Sequence, residues 1–597
     1  MTMATDRKFL ILYGSQTGTA QDAAEKISRE ATRRHFLTKI SSLDTYDISN
    51  LICENSVVFV CSTTGQGDPP DNMTKFWHFI MRRNLPCDSL CDLSHAVLGL
   101  GDSSYPKFNF VAKKLHRRLL QLGSKSIINV GLADDQHDLG ADAVIYPWMD
   151  KLWEKLMSIY PLPAHLDIIP SNVRPHSRYT VTYCNDDPMI TNGNIDNQHN
   201  TDVPTWFTVQ PYPAKLISNE RVTSDDHFQD TRLIHIDISH SNLSYNPGDV
   251  CVIYPQNMID TVKDFISYMN LDPDKQIILS CYNADNIPPC LPEPCTIRYL
   301  VENYFDINIV PRRSFFEMML YFSNDERERE KLEEFISPEG QDELFNYCNR
   351  VRRTLLEVLH DFPHTSANIP FEYLFDMIPV LQPRSFSIAS SLKAHCNEIQ
   401  LLVAVVKYKT RIQSPRRGVC STWLSSLTNG STIPISIKKG TMIFPADDNI
   451  PAIMVGPGTG VAPFRSYLEE RVVLNTKGSM LIFGSRYKDK DFYFKEQWKE
   501  YQKLEYMSLM TAFSRENQDG DRYYVQHVIN ENGEKIWKLL LQNASIFIAG
   551  NAKNMPDAVK EAFKNIVIKY GLLSDEDATT YIQKMEKDKR YQTETWS

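Results

Sequence analysis

The sequence predicts a multidomain α/β chain with an antiparallel β-barrel set between two parallel-sheet domains. Three observations lead there. Towards both ends of the chain, short apolar runs break into loops rich in Gly and Ser and then into helical periodicity, the pattern of parallel strands followed by crossover helices. Between them, over residues 232–239, polar and apolar residues alternate as in half-buried antiparallel strands. A length of 597 residues is more than one hydrophobic core organises, so three or four domains are expected.

The first domain is expected over residues 1–160. A strand over 8–13 runs into Ser15, Gln16, Thr17, Gly18, Thr19 and Ala20 and then into a helix. Hydroxyl residues and a glycine at a helix N-terminus surround a phosphate with neutral donors, and the lysine of an ATP-binding loop is missing. This favours a phosphate monoester held by hydrogen bonds. A second strand over 57–61 ends in Ser62, Thr63, Thr64 and Gly65. A third, over 96–100, leads from Leu100 into Gly101, Asp102, Ser103, Ser104, Tyr105, Pro106, Lys107, Phe108 and Asn109. A fourth is followed by the Asp134-Asp135 pair. Such loops meet at the carboxyl edge of one parallel sheet, where open α/β folds bind ligands, and an aromatic such as Tyr105 suits a flat conjugated one.

Residues 161–205 hold several prolines and polar tracts without sustained periodicity, as a linker between mobile domains would. The barrel is expected over 206–445, interrupted at about 260–375 by a helical insertion. When strands resume they carry Arg384, Ser385, Phe386 and Ser387, and further on Gly418, Val419, Cys420 and Ser421 open a helix. An arginine on a strand and a glycine-serine helix start share one pyrophosphate well, because a permanent cation joins the free N–H groups.

The last domain is expected over 446–597. Its apolar run 452–455 breaks into Gly456-Pro457-Gly458-Thr459-Gly460 before an amphipathic segment through Val473, a strand–glycine–helix arrangement that holds pyrophosphate. Later loops supply Ser485, Ser514, Arg515 and the run Arg522, Tyr523, Tyr524, Val525, Gln526. A serine and two arginines with a tyrosine to stack on adenine match a 2′-phosphate, so NADPH is favoured over NADH. The polar tail carries Trp596, which needs a place to pack.

In chain order these stretches resemble the diflavin reductase family: the phosphate loop, the S-T-T-G loop, L-G-D-S-S-Y-x-x-F-N, the R-x-F-S and G-V-C-S pair, and G-P-G-T-G. The resemblance implies a flavodoxin-like FMN domain, a ferredoxin–NADP reductase-like FAD barrel with a helical connecting insertion, and a parallel-sheet NADPH domain. It implies that Ser15 to Ala20 hold the FMN phosphate, that Ser62 to Gly65 and Leu100 to Asn109 flank the isoalloxazine with Tyr105 stacked on it, and that Asp135 adds a last contact. Arg384 and Gly418 to Ser421 would hold the FAD pyrophosphate, with Phe386 along the flavin and Arg352 reaching the FAD. Trp596 would cover the FAD ring where nicotinamide arrives, with Ser387, Ser485 and Glu594 as catalytic groups at the reacting atoms. Four positions depart from the common family pattern: Thr64 and Phe386 stand for tyrosines, Ser485 for cysteine and Glu594 for aspartate.

The chemistry so implied passes electrons from NADPH to FAD, then to FMN, then to a one-electron protein acceptor. The short polar start and the ending T-E-T-W-S are closer to soluble family members of cytosolic iron–sulfur protein assembly, which implies anamorsin as acceptor. Two alternatives stay open here, a general reductase of P450-type haem proteins and a flavin-bearing interaction protein with vestigial electron transfer. The net charge of −10 argues against bulk nucleic-acid binding. Twelve cysteines without a C-x-x-C pair fit reduced thiols and no metal site. With no run of 18 apolar residues and a polar start, neither a membrane anchor nor a secretory signal is expected, and the chain is expected in the cytoplasm.

Overall fold

The computed structural model describes residues 7–596 except 66, 106, 185–206, 208, 282–290, 413 and 517–521. It forms two compact units, Met1–Thr191 with Ile259–Gln382 and Asn192–Met258 with Pro383–Ser597. The helical stretch inserted in the barrel sequence thus groups with the N-terminal sheet.

In the first unit β1 (Lys8–Gly14), α1 (Thr19–Arg33), β2 (Leu37–Ser42), β3 (Ser56–Ser62), β4 (Ser94–Gly101), α2 (Phe110–Gln121), β5 (Gly131–Asp134) and α3 (Asp142–Ile159) build a parallel sheet with helices on both faces. The order is β2-β1-β3-β4-β5, the doubly wound flavodoxin-like arrangement, with a two-residue strand at Lys125–Ser126 also on β4. Val57 to Cys61 are all buried, as a central parallel strand between two helical layers requires. On one face Ile11, Val58 and Leu98 pack against Ile27 and Leu152, and on the other Leu12, Phe59 and Val97 pack against Leu115 and Leu119.

The inserted stretch adds α4 (Arg313–Leu320), whose side chains meet α1: Ser314 Oγ donates to Asp22 Oδ1 at 2.6 Å, and Lys26 pairs with Glu317 at 2.5 Å. Part of the expected linker is also ordered here. Tyr179–Tyr183 is a strand that pairs antiparallel with Gln276–Cys281. Upstream, Arg33 Nε donates to Ile169 O at 3.0 Å and Ile169 N–H to Arg33 O at 2.9 Å, laying the chain along the end of α1. Five residues are too few to show a period in the sequence, and their partners lie about a hundred positions away.

In the second unit β6 (Tyr212–Arg221), β7 (Thr231–Asp237), β8 (Val250–Ile253), β9 (Arg384–Ser387), β10 (Glu398–Ala404) and β11 (Thr432–Lys438) form an antiparallel sheet in the order β9-β8-β11-β6-β7-β10. An Ile388–Leu401 bridge joins its two end strands and closes the barrel around Ile234, Cys251, Ile399 and Ile435. A helix, α5 (Val419–Ser426), follows the barrel's pyrophosphate-type turn.

The parallel sheet of this unit has β12 (Ala452–Pro457), β13 (Ser479–Ser485), β14 (Met507–Phe513), β15 (Ser545–Asn551) and β16 (Tyr591–Trp596) in the order β14-β13-β12-β15-β16. The tail is therefore an edge strand, with Ile546 opposite Tyr591 and Asn551 opposite Trp596. The strand order reverses beside β12, which leaves the crevice over its carboxyl end open to a ligand.

The helix after the glycine turn, α6 (Ala462–Val473), is not amphipathic as its sequence suggested. Its charged residues Arg465, Glu469 and Arg471 are buried along with its apolar ones, the first two against the barrel side and Arg471 against Tyr467, Asp448 and Lys477 of its own domain. Arg465 donates from Nη1 to Ala389 O at 2.8 Å and to Gln400 Oε1 at 2.7 Å, and pairs through Nη2 with Glu469 at 2.8 Å. Ser391 N–H donates to Glu469 Oε2 at 2.9 Å. A buried ion pair is tolerable only when its remaining donors and acceptors are met in this way. These bonds fix the helix of the glycine turn to the residues that follow β9.

Candidate functional site

The carboxyl ends of β1, β3, β4 and β5 bring four loops to one edge of the first sheet. Ser15 N–H donates to Asn72 Oδ1 at 2.8 Å, and Gly18 N–H to Ser15 Oγ at 3.0 Å. Gln16 is tied through its amide to Asp71 at 2.9 Å. Gly18 takes a left-handed φ of 88°, and α1 then opens at Thr19 with no side-chain cap, while Ala20 is buried. Uncapped N–H groups at a helix start, approached by a glycine backbone, fit a phosphate. Thr17 is exposed, and its carbonyl accepts from Arg312 Nη2 at 3.0 Å.

The next two loops are braced against each other. Ser62 Oγ donates to Gly14 O at 3.4 Å, Thr63 N–H to Leu100 O at 2.9 Å, and Thr64 Oγ1 to Asp68 O at 3.0 Å. Beyond Gly101, Asp102 Oδ1 accepts from Ser104 N–H at 2.8 Å, and Ser103 N–H donates to Asp134 Oδ1 at 2.9 Å. Thr63, Gly65, Asp102, Tyr105, Lys107, Phe108 and Asn109 line a cavity of about 140 Å³. Pro106 lies outside the described residues. The sequence reading selected Asp135, yet Asp134 is the carboxylate that ties the 103 loop; Asp135 is exposed. Asp135 contributes its backbone instead, its N–H donating to Gly101 O at 2.9 Å. Arg352, exposed at a φ of 55°, lies near enough to act electrostatically on Asp135.

Asn109 is fully buried at a φ of 51°, and its Nδ2 donates to Ala133 O at 2.9 Å, joining the β4 loop to β5. Gly99 and Gly101 leave the room it occupies, since a Cβ at either would lie 2.8 or 3.0 Å from Asn109 Oδ1. Asn109→Ala is expected to lower stability by about 1–2 kcal/mol and to reduce bound FMN below one per chain. Thermal unfolding and flavin stoichiometry on one preparation check this; a full FMN complement with an unchanged Tm would refute it.

In the second unit, β9 pairs with β8 in the register Ser387–Val250 and Arg384–Ile253. Arg384 and Ser385 are exposed, and Phe386 is partly buried against the barrel core. Gly418 caps α5 without a side-chain bond, and its N–H donates to Val406 O at 2.9 Å. A Cβ there would fall 2.8 Å from both Ser421 Oγ and Val406 Cβ, so the turn excludes a side chain. Ser421 Oγ in turn accepts from Val406 N–H at 3.0 Å. The Arg384 charge is felt at the α5 start: burial pushes the Cys420 thiol up to about 12, and Arg384 pulls against it. Val419 begins the helix, and Thr422, which sequence reasoning passed over, has a buried hydroxyl without a protein partner. An uncapped helix start, a cation and an orphaned hydroxyl fit the pyrophosphate of a dinucleotide such as FAD.

At the switch point of the parallel sheet lies a cavity of about 650 Å³, the size that small-molecule sites have. Thr459, Ser485, Ser514, Tyr523, Tyr524, Val525, Gln526 and Trp596 all line it. Arg515 and Arg522 are exposed outside its lining, with Arg515 N–H donating to Arg486 O at 3.0 Å and Arg522 Nη1 to Tyr524 Oη at 3.5 Å. His227 and Phe228, from the barrel, complete the wall and had no signal in the sequence; Arg486 lies 4.1 Å from the Phe228 ring centre.

Two of the residues expected to be catalytic touch. Ser387 Oγ donates to Glu594 Oε1 at 3.4 Å, and Thr441 Oγ1, not foreseen, donates to Oε2 at 3.1 Å. Burial raises the Glu594 carboxyl above its usual range, against the pull of these two donors. Ser485 Oγ instead donates within its own loop to Tyr487 O at 3.5 Å, so this hydroxyl is not joined to the Ser387–Glu594 pair by a direct bond.

Three family models match the chain in succession: Flavodoxin over residues 11–148, FAD binding domain over 206–423, and Oxidoreductase NAD-binding domain over 454–561. NADPH-dependent diflavin oxidoreductase 1 of Danio rerio is 51% identical over 593 residues, 98% of this chain and 99% of its own. The proteins of that name from Xenopus laevis and Schizosaccharomyces pombe are 49% and 37% identical, covering 99% and 98% of this chain and 100% and 99% of theirs.

Proposed function

The chain belongs to the NADPH-dependent diflavin oxidoreductases, and from that premise we propose that its electrons go to an iron–sulfur assembly factor of the anamorsin kind in the cytoplasm. Electron transfer from NADPH through FAD and FMN is the activity of the family, and the three matched domains supply a site for each. Bound FAD and FMN turn the two-electron donation of NADPH into single-electron release.

The residues have separable tasks. Ser15 to Ala20 hold the FMN phosphate, and the Thr63 to Gly65 and Asp102 to Asn109 loops wall its ring. Arg384 and the α5 turn hold the FAD pyrophosphate. Glu594, kept in place by Ser387 and Thr441, would supply a carboxylate to the positive charge that develops on a nicotinamide as it gives up hydride. Trp596, on the wall of the cavity at the switch point, would have to move aside for a nicotinamide arriving there.

The observation that supports a protein acceptor is the exposure of Gly65, Ser103, Ser104 and Lys107 around the FMN cavity, which leaves that edge open to another macromolecule. The choice of anamorsin rests on the resemblance to family members that serve it. The test gives the reduced chain purified anamorsin or a P450-type haem protein and follows acceptor absorbance in a stopped-flow instrument. Reduction of anamorsin about tenfold faster is expected. Equal or faster reduction of the haem protein would replace this reading with the general P450-type reductase.

A further inference from the structure

The phosphate loop Gly14 to Ala20 contains no lysine or arginine, although a phosphate monoester carries nearly two negative charges at neutral pH. A cation reaches the loop from elsewhere in the first unit. Arg312, the residue before α4, places Nη2 3.0 Å from Thr17 O, and a Cβ on Gly18 would meet the same nitrogen at 3.3 Å and Nη1 at 3.8 Å. Its position is set by the contacts that dock α4 along α1. Ser314 meets Asp22, and Glu317 meets Lys26, whose Nζ also donates to Tyr146 Oη at 2.7 Å. Each contact lies about one helical turn further from the loop, so α4 cannot dock in this register without bringing Arg312 to Gly18.

We propose that Arg312 is a binding residue for the FMN phosphate, contributed by the helical insertion, so that FMN affinity depends on the docking of α4 against α1. The inference rests on FMN occupying this loop. With one N–H spent on Thr17, the guanidinium keeps donors for an anion, and its charge strengthens the hydrogen bonds it makes there. The coupling runs both ways by linkage: a phosphate that gains from Arg312 stabilises the docked insertion by the same factor. A loop of neutral donors would then hold FMN firmly only while the insertion is in place.

The test uses the full chain stripped of FMN, retaining FAD, and titrated with FMN and with riboflavin, which has the same ring and no phosphate. Arg312→Ala is expected to weaken FMN about tenfold, or about 1.4 kcal/mol, and to leave riboflavin within about twofold. Arg312→Lys, which keeps the charge, should recover part of the loss. FMN and not riboflavin should slow amide exchange across Arg313–Leu320. Equal weakening of both flavins, or FMN binding unaffected by the alanine, would overturn the proposal. Failure of the unaltered chain to take up FMN would instead overturn the assignment of the loop itself.

Discussion

Gly460→Ala is expected to slow NADPH-driven flavin reduction about 100-fold while leaving FMN bound. The glycine turn after β12 passes over the end of β15, and a Cβ on Gly460 would lie 2.1 Å from Ala549 O and 2.7 Å from its carbonyl carbon. These are backbone atoms of a strand paired on both sides, so no rotamer change relieves the overlap. The turn must lift by about an ångström, and a displacement of that size at a positioning loop costs about 100-fold in rate. Gly458 provides the contrast in the same turn. It has a φ of 59° with nothing within 4 Å of a built Cβ, so Gly458→Ala meets only the backbone penalty of about 1–2 kcal/mol for a left-handed residue with a side chain. Stopped-flow reduction of both variants decides the matter. Comparable rates for the two would show that the close approach to β15 does not set the loop.

Glu594→Gln is expected to lower the rate of flavin reduction by about 10–100-fold and to flatten its acid limb. In the unaltered chain burial raises this carboxyl, so lowering the pH protonates it earlier than an exposed glutamate, and the rate falls with it. The effect on stability has the opposite sign. A carboxyl whose folded pKa exceeds its unfolded value stabilises the fold fully below the unfolded value, and that stabilisation is lost as pH rises through the folded one. At pH 8 the buried charge is a cost that the glutamine lacks, so the variant should unfold at a higher temperature while turning over more slowly. Rate profiles and thermal unfolding between pH 5 and 8 test both halves. An acid limb shared by the two proteins would remove Glu594 from the proton-sensitive step.

The elements legible in the sequence are those whose signal is local. β3 and β12 announce themselves as unbroken apolar runs, and the glycines after them as turns that a side chain would fill. What escaped depends on partners far along the chain. Tyr179–Tyr183 is a strand only because Gln276–Cys281 lies beside it, and the tail is a strand because β15 offers it an edge. The polarity of α6 suggested an exposed face, whereas its Arg465 meets Gln400 and its Glu469 meets Ser391 on the barrel side. Within the site, Tyr105 and the glycine loops were readable as types of residue at strand ends. Arg312 was not, since 295 positions separate it from the carbonyl it touches.

The barrel also dictates a timetable for synthesis. β8 pairs with β9 and β11, and both of its neighbours emerge from the ribosome more than a hundred residues after it. At about 5–20 residues per second, Val250–Ile253 waits roughly 10–40 s for its second neighbour. Until β9 is made both edges of this Val-Cys-Val-Ile segment are unpaired, and one stays so until β11 follows, the form in which strands recruit one another between molecules. The open edges of β8 thus belong to the nascent chain and close only when residues 384–387 and 432–438 have been made.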